Sequence, residues 1–206
     1  MSLTASKMLP LGSVLPEFAL PLVKDPLLQK DPFSKGLQQL KSSELTSKPL
    51  LLMVLCAHCP FVKHIEAQVS AIQQDYASKV EIIALSANSI STHPQDGPYY
   101  LSIQAEVNGW KFPYLFDQEQ LLVKGLQAAC TPDFFLFKPL TNGPHVLEYR
   151  GQLDESRPDN GKPVTGKDLR DALEAVLHGE KVFEDQKPSI GCNIKWHAGN
   201  EPNWFS

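Results

Sequence analysis

The sequence predicts an α/β fold, a central mixed β-sheet flanked by α-helices. Two observations carry this. The run Leu50–Leu55 is short and unbroken in its apolar character, Pro60 to Ala77 then shows a helical period, and Val80 to Asn88 is apolar again. Together they make a strand, helix, strand crossover, which joins parallel strands. Further on, "DFFLFKP" and "HVLEYRGQL" flank "LTNGP", the pattern of an antiparallel hairpin with an Asn-Gly turn.

Each element has its own signal. Leu50–Leu55 follows Pro49 and has no polar residue, which suits a strand buried on both faces. In "PFVKHIEAQVSAIQQDYA", Val62, Ile65, Val69, Ile72 and Tyr76 recur every three or four residues among Lys63, Glu66, Gln73 and Gln74. That is an amphipathic helix, and Pro60 fits its first turn, where no N–H is needed. "SISTHPQDGPYY" is turn-rich and leads into a short helix over Tyr99 to Asn108; "FPYLFD" is a compact strand, and "QEQLLVKGLQAA" reads as a helix. After the hairpin, Gly151 to Pro163 is polar and rich in Gly, Pro and Asp, hence a loop. Thr165 is the predicted cap of the last helix, with Asp168 three residues on and Leu169, Leu173, Val176 and Leu177 as its apolar stripe. The tail "EDQKPSIGCNIKWHAGNEPNWFS" has no period, but Ile190, Ile194, Trp196, Trp204 and Phe205 give it apolar surface to pack on the domain.

Length and charge narrow the function. With 206 residues and 42% hydrophobic content, the chain suits one domain spanning 1–206, with a core at 12–180 and a tail at 181–206. Nineteen basic against 23 acidic residues give a net charge of -4 without any run of like charge, so no nucleic acid and no membrane surface is expected as partner. Neither the N-terminus nor the apolar run at Leu50 to Cys56 has the length of a signal core or a membrane span, which predicts a cytoplasmic protein. Four cysteines, Cys56, Cys59, Cys130 and Cys192, are too few for a disulfide scaffold. In a reducing compartment a close pair is redox-active or metal-binding.

That pair is "CAHC", at the corner between the predicted strand and helix. A helix N-terminus carries unsatisfied N–H groups and the positive end of the macrodipole, so a thiolate there is stabilised. The expected roles are Cys56 as the more exposed nucleophile attacking a substrate disulfide, Cys59 as the resolving thiol, and His58 as a donor or cation tuning Cys56. Zinc is the competing reading, with His64 five residues past Cys59. A structural zinc site usually draws its pairs from loops or knuckles, whereas this pair follows a buried strand, so no metal is expected.

At this corner the chain resembles the thioredoxin fold. "CTPDFFLF" is similar to the segment where thioredoxin-like proteins place a cis-proline opposite the dithiol. The resemblance implies that Pro132 is cis and that Thr131 offers its backbone to an extended substrate chain. "LGSVLPEFALP" resembles the opening of peroxiredoxins, the alkyl hydroperoxide reductase and thiol-specific antioxidant superfamily. With "CAHCPFVKHIE", "FPYLFDQEQ", "YRGQLDESRP" and "PSIGCNIKW", the chain is similar to an uncharacterised bacterial peroxiredoxin-like branch carrying a thioredoxin-type dithiol. That implies a thioredoxin-like fold with a peroxiredoxin-like N-terminal extension, no bound cofactor, and exchange with a dithiol protein or a small thiol.

Peroxidase chemistry is the runner-up. The peroxiredoxin pattern has a proline seven residues before the reactive cysteine, a Thr or Ser three before it, and a later arginine. Here Pro49 fits, Met53 offers no hydroxyl, and no arginine stands near Thr131; Arg150 and Arg157 are expected in surface ion pairs. Cys130 and Cys192 are either further redox thiols or small apolar residues in the core. A non-catalytic metal-binding or interaction module using "CAHC" is the second alternative. The apolar strand holds no acid to take a proton from Cys59, so that proton must go to water, to His58 or to a residue from elsewhere.

Overall fold

The computed structural model describes residues 3–141 and 143–205. In chain order its elements are β1 (Leu3–Ala5), β2 (Ala19–Pro21), α1 (Pro26–Lys30), β3 (Gln39–Lys41), β4 (Leu50–Val54), α2 (Pro60–Tyr76), β5 (Glu81–Ser86), α3 (Pro98–Val107), β6 (Tyr114–Phe116), α4 (Leu121–Gly125), β7 (Cys130–Thr131), β8 (Asp133–Pro139), β9 (His145–Gly151), α5 (Lys167–His178) and β10 (Ile190–Asn193).

The five apolar residues of β4 are fully buried because the strand lies at the centre of the main sheet, whose order is β6-β5-β4-β8-β9. β4 pairs parallel to β5, across the crossover through α2, and antiparallel to β8. β5 and β6 are parallel and β8 and β9 antiparallel, so the sheet is mixed, as predicted. The strand's alternation divides the core. Leu51, Met53 and Leu55 join the layer under α2 and α5, whereas Leu50, Leu52 and Val54 join the opposite layer with Phe18, Leu122, Val123 and Trp196. Burying each such side chain contributes about 1.5–3 kcal/mol, which is why no polar residue interrupts this run.

The predicted helix over "QEQLLVKGLQAA" contracts to the five residues of α4. Gln120 and Gln127 are left-handed, with φ of 59° and 52°, and break the helix at both ends. Asp117 caps its start, accepting from Leu121 N at 3.1 Å and Val123 N at 2.9 Å. The cap of α5 moves one residue, from Thr165 to Gly166 at φ 68°, while Thr165 Oγ1 still accepts from Lys167 N. Asn142, half of the hairpin's turn signal, lies outside the described residues.

The tail does pack on the domain, and it does so through a strand that its sequence gave no period to reveal. β10 pairs antiparallel with β1 on one side and β7 on the other, matching Cys192 with Leu3 and with Thr131. Ile194 and Trp196 follow into the core, while Ile190 stays 39% exposed. Gly191 is required by this seat: a Cβ there would lie 2.0 Å from Thr131 O. Arg150 and Arg157, expected at the surface in ion pairs, are instead bonded to internal oxygens. Arg150 donates to Leu9 O and Gln186 Oε1, and Arg157 to Asp154 O, Ser156 O and Gln152 Oε1.

Candidate active site

Beyond β4 the chain turns through "LCAHC" into α2. Cys59 caps the helix, and its carbonyl accepts from Val62 N and Lys63 N at 3.0 Å each. Pro60 takes the first helical position, so the ring and the cap together fix where the dithiol meets the helix.

A buried carboxylate from the turn-rich segment holds this corner. Asp96 Oδ1 accepts from Ala57 N at 2.9 Å and His58 N at 3.0 Å. Its Oδ2 accepts from Asn88 Nδ2 at 2.7 Å and meets His58 Nδ1 at 2.5 Å. Burial opposes the Asp96 charge, but the bonds from His58 and Asn88 outweigh it and keep the carboxyl below its usual range. From α3, Gln104 Nε2 donates to Cys56 O at 3.2 Å and to Glu66 Oε1 at 2.7 Å, while Gln104 Oε1 accepts from Tyr114.

Thr131 touches both sulfurs. Its Oγ1 is 3.3 Å from Cys56 Sγ, and its carbonyl accepts from Cys59 Sγ at 3.3 Å. The Thr131–Pro132 peptide is cis, as the resemblance implied. The backbone of Thr131, however, does not stand open to a substrate chain. It belongs to β7, whose outer edge is occupied by β10, so the protein's own tail fills the place where the extended substrate was expected. Cys56 also departs from expectation: both it and Cys59 are 0% exposed, closed in by the Asp96 segment, α3 and Thr131.

The tail delivers a third thiol. Cys192 Sγ lies 2.9 Å from Cys59 Sγ, while no S–S bond joins any of the four cysteines. Cys59 therefore sits between two thiols, Cys56 and Cys192. Bonding with Cys192 and then with Cys56 lowers the Cys59 pKa below the ordinary thiol range. Burial pushes Cys56 up, followed by its bond to Cys59 and the like charge of Asp96. Donation to Cys59 and then burial do the same to Cys192. The sequence suggests activation of Cys56, whereas burial raises the Cys56 pKa and the neighbouring thiols lower that of Cys59. Cys130 points elsewhere, toward Ser6 Oγ at 3.9 Å and the carbonyls of Pro132 and Ser189 at 3.8 Å each.

His58 is in contact with Cys56, Nδ1 to Sγ being 3.9 Å, but its Nδ1 also serves Asp96. The His93 ring stacks on it with centroids 5.0 Å apart, and burial, then the neighbouring His58, lowers the His93 pKa. Cys56, His58 and Asp96 bring three potential metal-ligand atoms within 4.8 Å of one another. Asp96 is a poor ligand, because four donors already occupy its two oxygens and a carboxylate has about four such sites. His64, the other candidate, bonds to Ser156 Oγ at 2.8 Å.

Asp96, Asn88 and Gln104 were invisible to sequence reasoning. "HPQDGP" signals a turn, but nothing in it says that its one acid folds back onto the dithiol corner.

No protein-family model matches the chain, and no curated protein does. Among solved structures, an uncharacterized conserved protein from Geobacillus kaustophilus is 40% identical, with a TM-score of 0.84 over 96% of this chain and 97% of that one. The chain belongs to the same protein family. A hypothetical protein from Sinorhizobium meliloti 1021 is similar too, at 37% identity and a TM-score of 0.84 over 95% of this chain and 100% of the other. More distantly, a secreted disulfide oxidoreductase from Mycobacterium tuberculosis aligns at 11% identity with a TM-score of 0.52, over 77% of this chain and 95% of that one. At that distance the likeness concerns the fold alone, which is thioredoxin-like. No helix among the described residues is long and apolar enough to cross a membrane.

Proposed function

We propose that the protein is a thiol-disulfide oxidoreductase working through Cys56 and Cys59. The observation that supports this best is Thr131, which precedes the cis-proline and touches both sulfurs of a dithiol set between a buried strand and a helix N-terminus. The substrate disulfide approaches Cys56 past half-buried His58, and Cys56 passes its proton to the Cys59 thiolate as it attacks. One substrate sulfur leaves as a thiolate and the other stays bonded to Cys56. Cys59 gives its proton to the departing thiolate, attacks Cys56, and expels the second substrate sulfur as a thiolate. Two substrate sulfurs are reduced and Cys56 and Cys59 are oxidised. Asp96 positions the turn and, with His58, sets the field at Cys56; Thr131 Oγ1 orients the attacking sulfur. A dithiol protein or a small thiol in the cytoplasm then restores the reduced form.

The test is equilibration against glutathione followed by mass mapping of disulfides. A reversible two-electron couple that vanishes in Cys59→Ser supports the reading; thiols that only over-oxidise or never pair refute it.

One contact favours a second reading, a thiol peroxidase acting on hydroperoxides. Thr131 Oγ1 supplies beside Cys56 the hydroxyl that Met53 could not. Against it, Arg150 and Arg157 are committed to other oxygens, leaving neither to polarise a peroxide. Peroxide consumption lost in Cys56→Ser and retained for one turnover in Cys59→Ser would favour it.

A further inference from the structure

We propose that Cys192 is a third redox cysteine, and that β10 is a built-in exchange strand that carries the oxidised state from the dithiol to a Cys59–Cys192 disulfide. The inference rests on the oxidoreductase reading above and extends it to the tail.

Three observations converge on it. Cys192 Sγ is already 2.9 Å from Cys59 Sγ, so forming a bond of about 2.05 Å needs an approach of under about 1 Å. Cys192 is held there by backbone pairing, since β10 is hydrogen-bonded to β7 with Cys192 facing Thr131 in register. The seat itself is specific, because Gly191 is the one residue type that clears Thr131 O. β10 thus lies along the segment before the cis-proline, where an extended substrate would otherwise pair, and presents its cysteine to the dithiol as such a substrate would. Cys192 is 2% exposed, with its sulfur against that of Cys59.

The chemistry balances without an added reagent. After a substrate disulfide has been reduced, the protein holds a Cys56–Cys59 disulfide and a Cys192 thiol. The Cys192 sulfur attacks Cys59, the Cys56–Cys59 bond breaks as the Cys59–Cys192 bond forms, and the Cys192 proton ends on the Cys56 sulfur. No electrons enter or leave. The result is a stored oxidising equivalent on the tail and a Cys56 thiol again available at the corner.

The experiment uses the full chain, oxidised with glutathione disulfide, alkylated under acid and mapped by mass spectrometry. Wild type is expected to contain Cys59–Cys192 alongside Cys56–Cys59. Cys56→Ser should form Cys59–Cys192 with loss of both thiols and without a lasting glutathione adduct on Cys59. Cys192→Ser should form Cys56–Cys59 alone. If wild type yields Cys56–Cys59 and never Cys59–Cys192, and Cys56→Ser keeps Cys192 as a thiol, the relay is overturned while the oxidoreductase reading stands. If Cys56–Cys59 is absent from both wild type and Cys192→Ser, it is the oxidoreductase reading that falls. Because the wild-type map needs no substitution, a variant that misfolds cannot obscure the result.

Discussion

Asp133, the residue after the cis-proline, is a buried carboxyl with one oxygen unsatisfied, and replacing it with asparagine should change how stability depends on pH. Oδ1 accepts from Ser6 Oγ at 2.7 Å, a bond reinforced by Phe134 N at 3.1 Å, while among the described residues Oδ2 has no partner. Burial raises its pKa from 3.8 to about 7 despite those bonds. The folded state therefore favours the neutral acid. Well below pH 3.8 Asp133 costs nothing, because it is protonated whether the chain is folded or not. As pH rises from about 4 to 7 the unfolded chain releases this proton and the folded one keeps it, so stability declines; above pH 7 the loss is constant. The full displacement is worth about 4 kcal/mol, of which roughly 2–3 kcal/mol falls between pH 5 and pH 8. Asp133→Asn keeps the shape and removes the titration. Measured by urea unfolding, the variant should gain roughly 2–3 kcal/mol relative to wild type on going from pH 5 to pH 8, whatever fixed cost its unpaired amide adds at both. A wild-type-minus-variant difference that is flat across that range would refute the assignment of a neutral acid here.

Other expectations follow from the same geometry. Asp96→Asn sets an amide donor against the donors that now bond to the carboxylate, and should cost about 1–3 kcal/mol in unfolding free energy together with slower disulfide exchange; unchanged values for both would show that Asp96 does not brace the corner. Gly191→Ala forces a Cβ to within 2.0 Å of Thr131 O, so β10 must shift, and Cys192 should be alkylated faster than in wild type while a persistently slow rate would contradict the tight seat. Because burial holds the Cys56 thiol above its ordinary range, its alkylation rate should climb about tenfold per pH unit from pH 7 to 9; a plateau reached by pH 7 would mean that Cys56 itself carries the thiolate. Cys59→Ser should accumulate a mixed disulfide on Cys56 with a protein disulfide substrate, detectable on a non-reducing gel, and its failure to do so would remove Cys56 as the attacking thiol.

The sheet was legible where local pattern and burial coincide. β4, α2 and β5 follow from an apolar run, a 3.6-residue period and a second apolar run, because each element buries a face that its own sequence must make apolar. The hairpin of β8 and β9 was legible for the same reason. α4 was overestimated because periodicity cannot show that Gln120 and Gln127 adopt left-handed backbone. β10 escaped notice because a four-residue strand pairing with residues 61 and 63 positions earlier has too short a pattern to register. At the site, "CAHC" placed the dithiol at the corner because that motif is local, and the resemblance of "CTPDFFLF" to the cis-proline segment of thioredoxin-like proteins implied that Thr131 faces it.

By itself, the sequence determined that a dithiol would stand at a strand-to-helix corner inside a mixed α/β sheet, because backbone hydrogen bonding and apolar burial act over a few residues at a time. The tertiary structure alone decided which groups surround the two sulfurs and so in which direction each thiol's pKa moves. Cys192 and Asp96 come from 133 and 37 positions past Cys59, and the pKa of a buried thiol depends on the donors, charges and desolvation that distant segments bring to it.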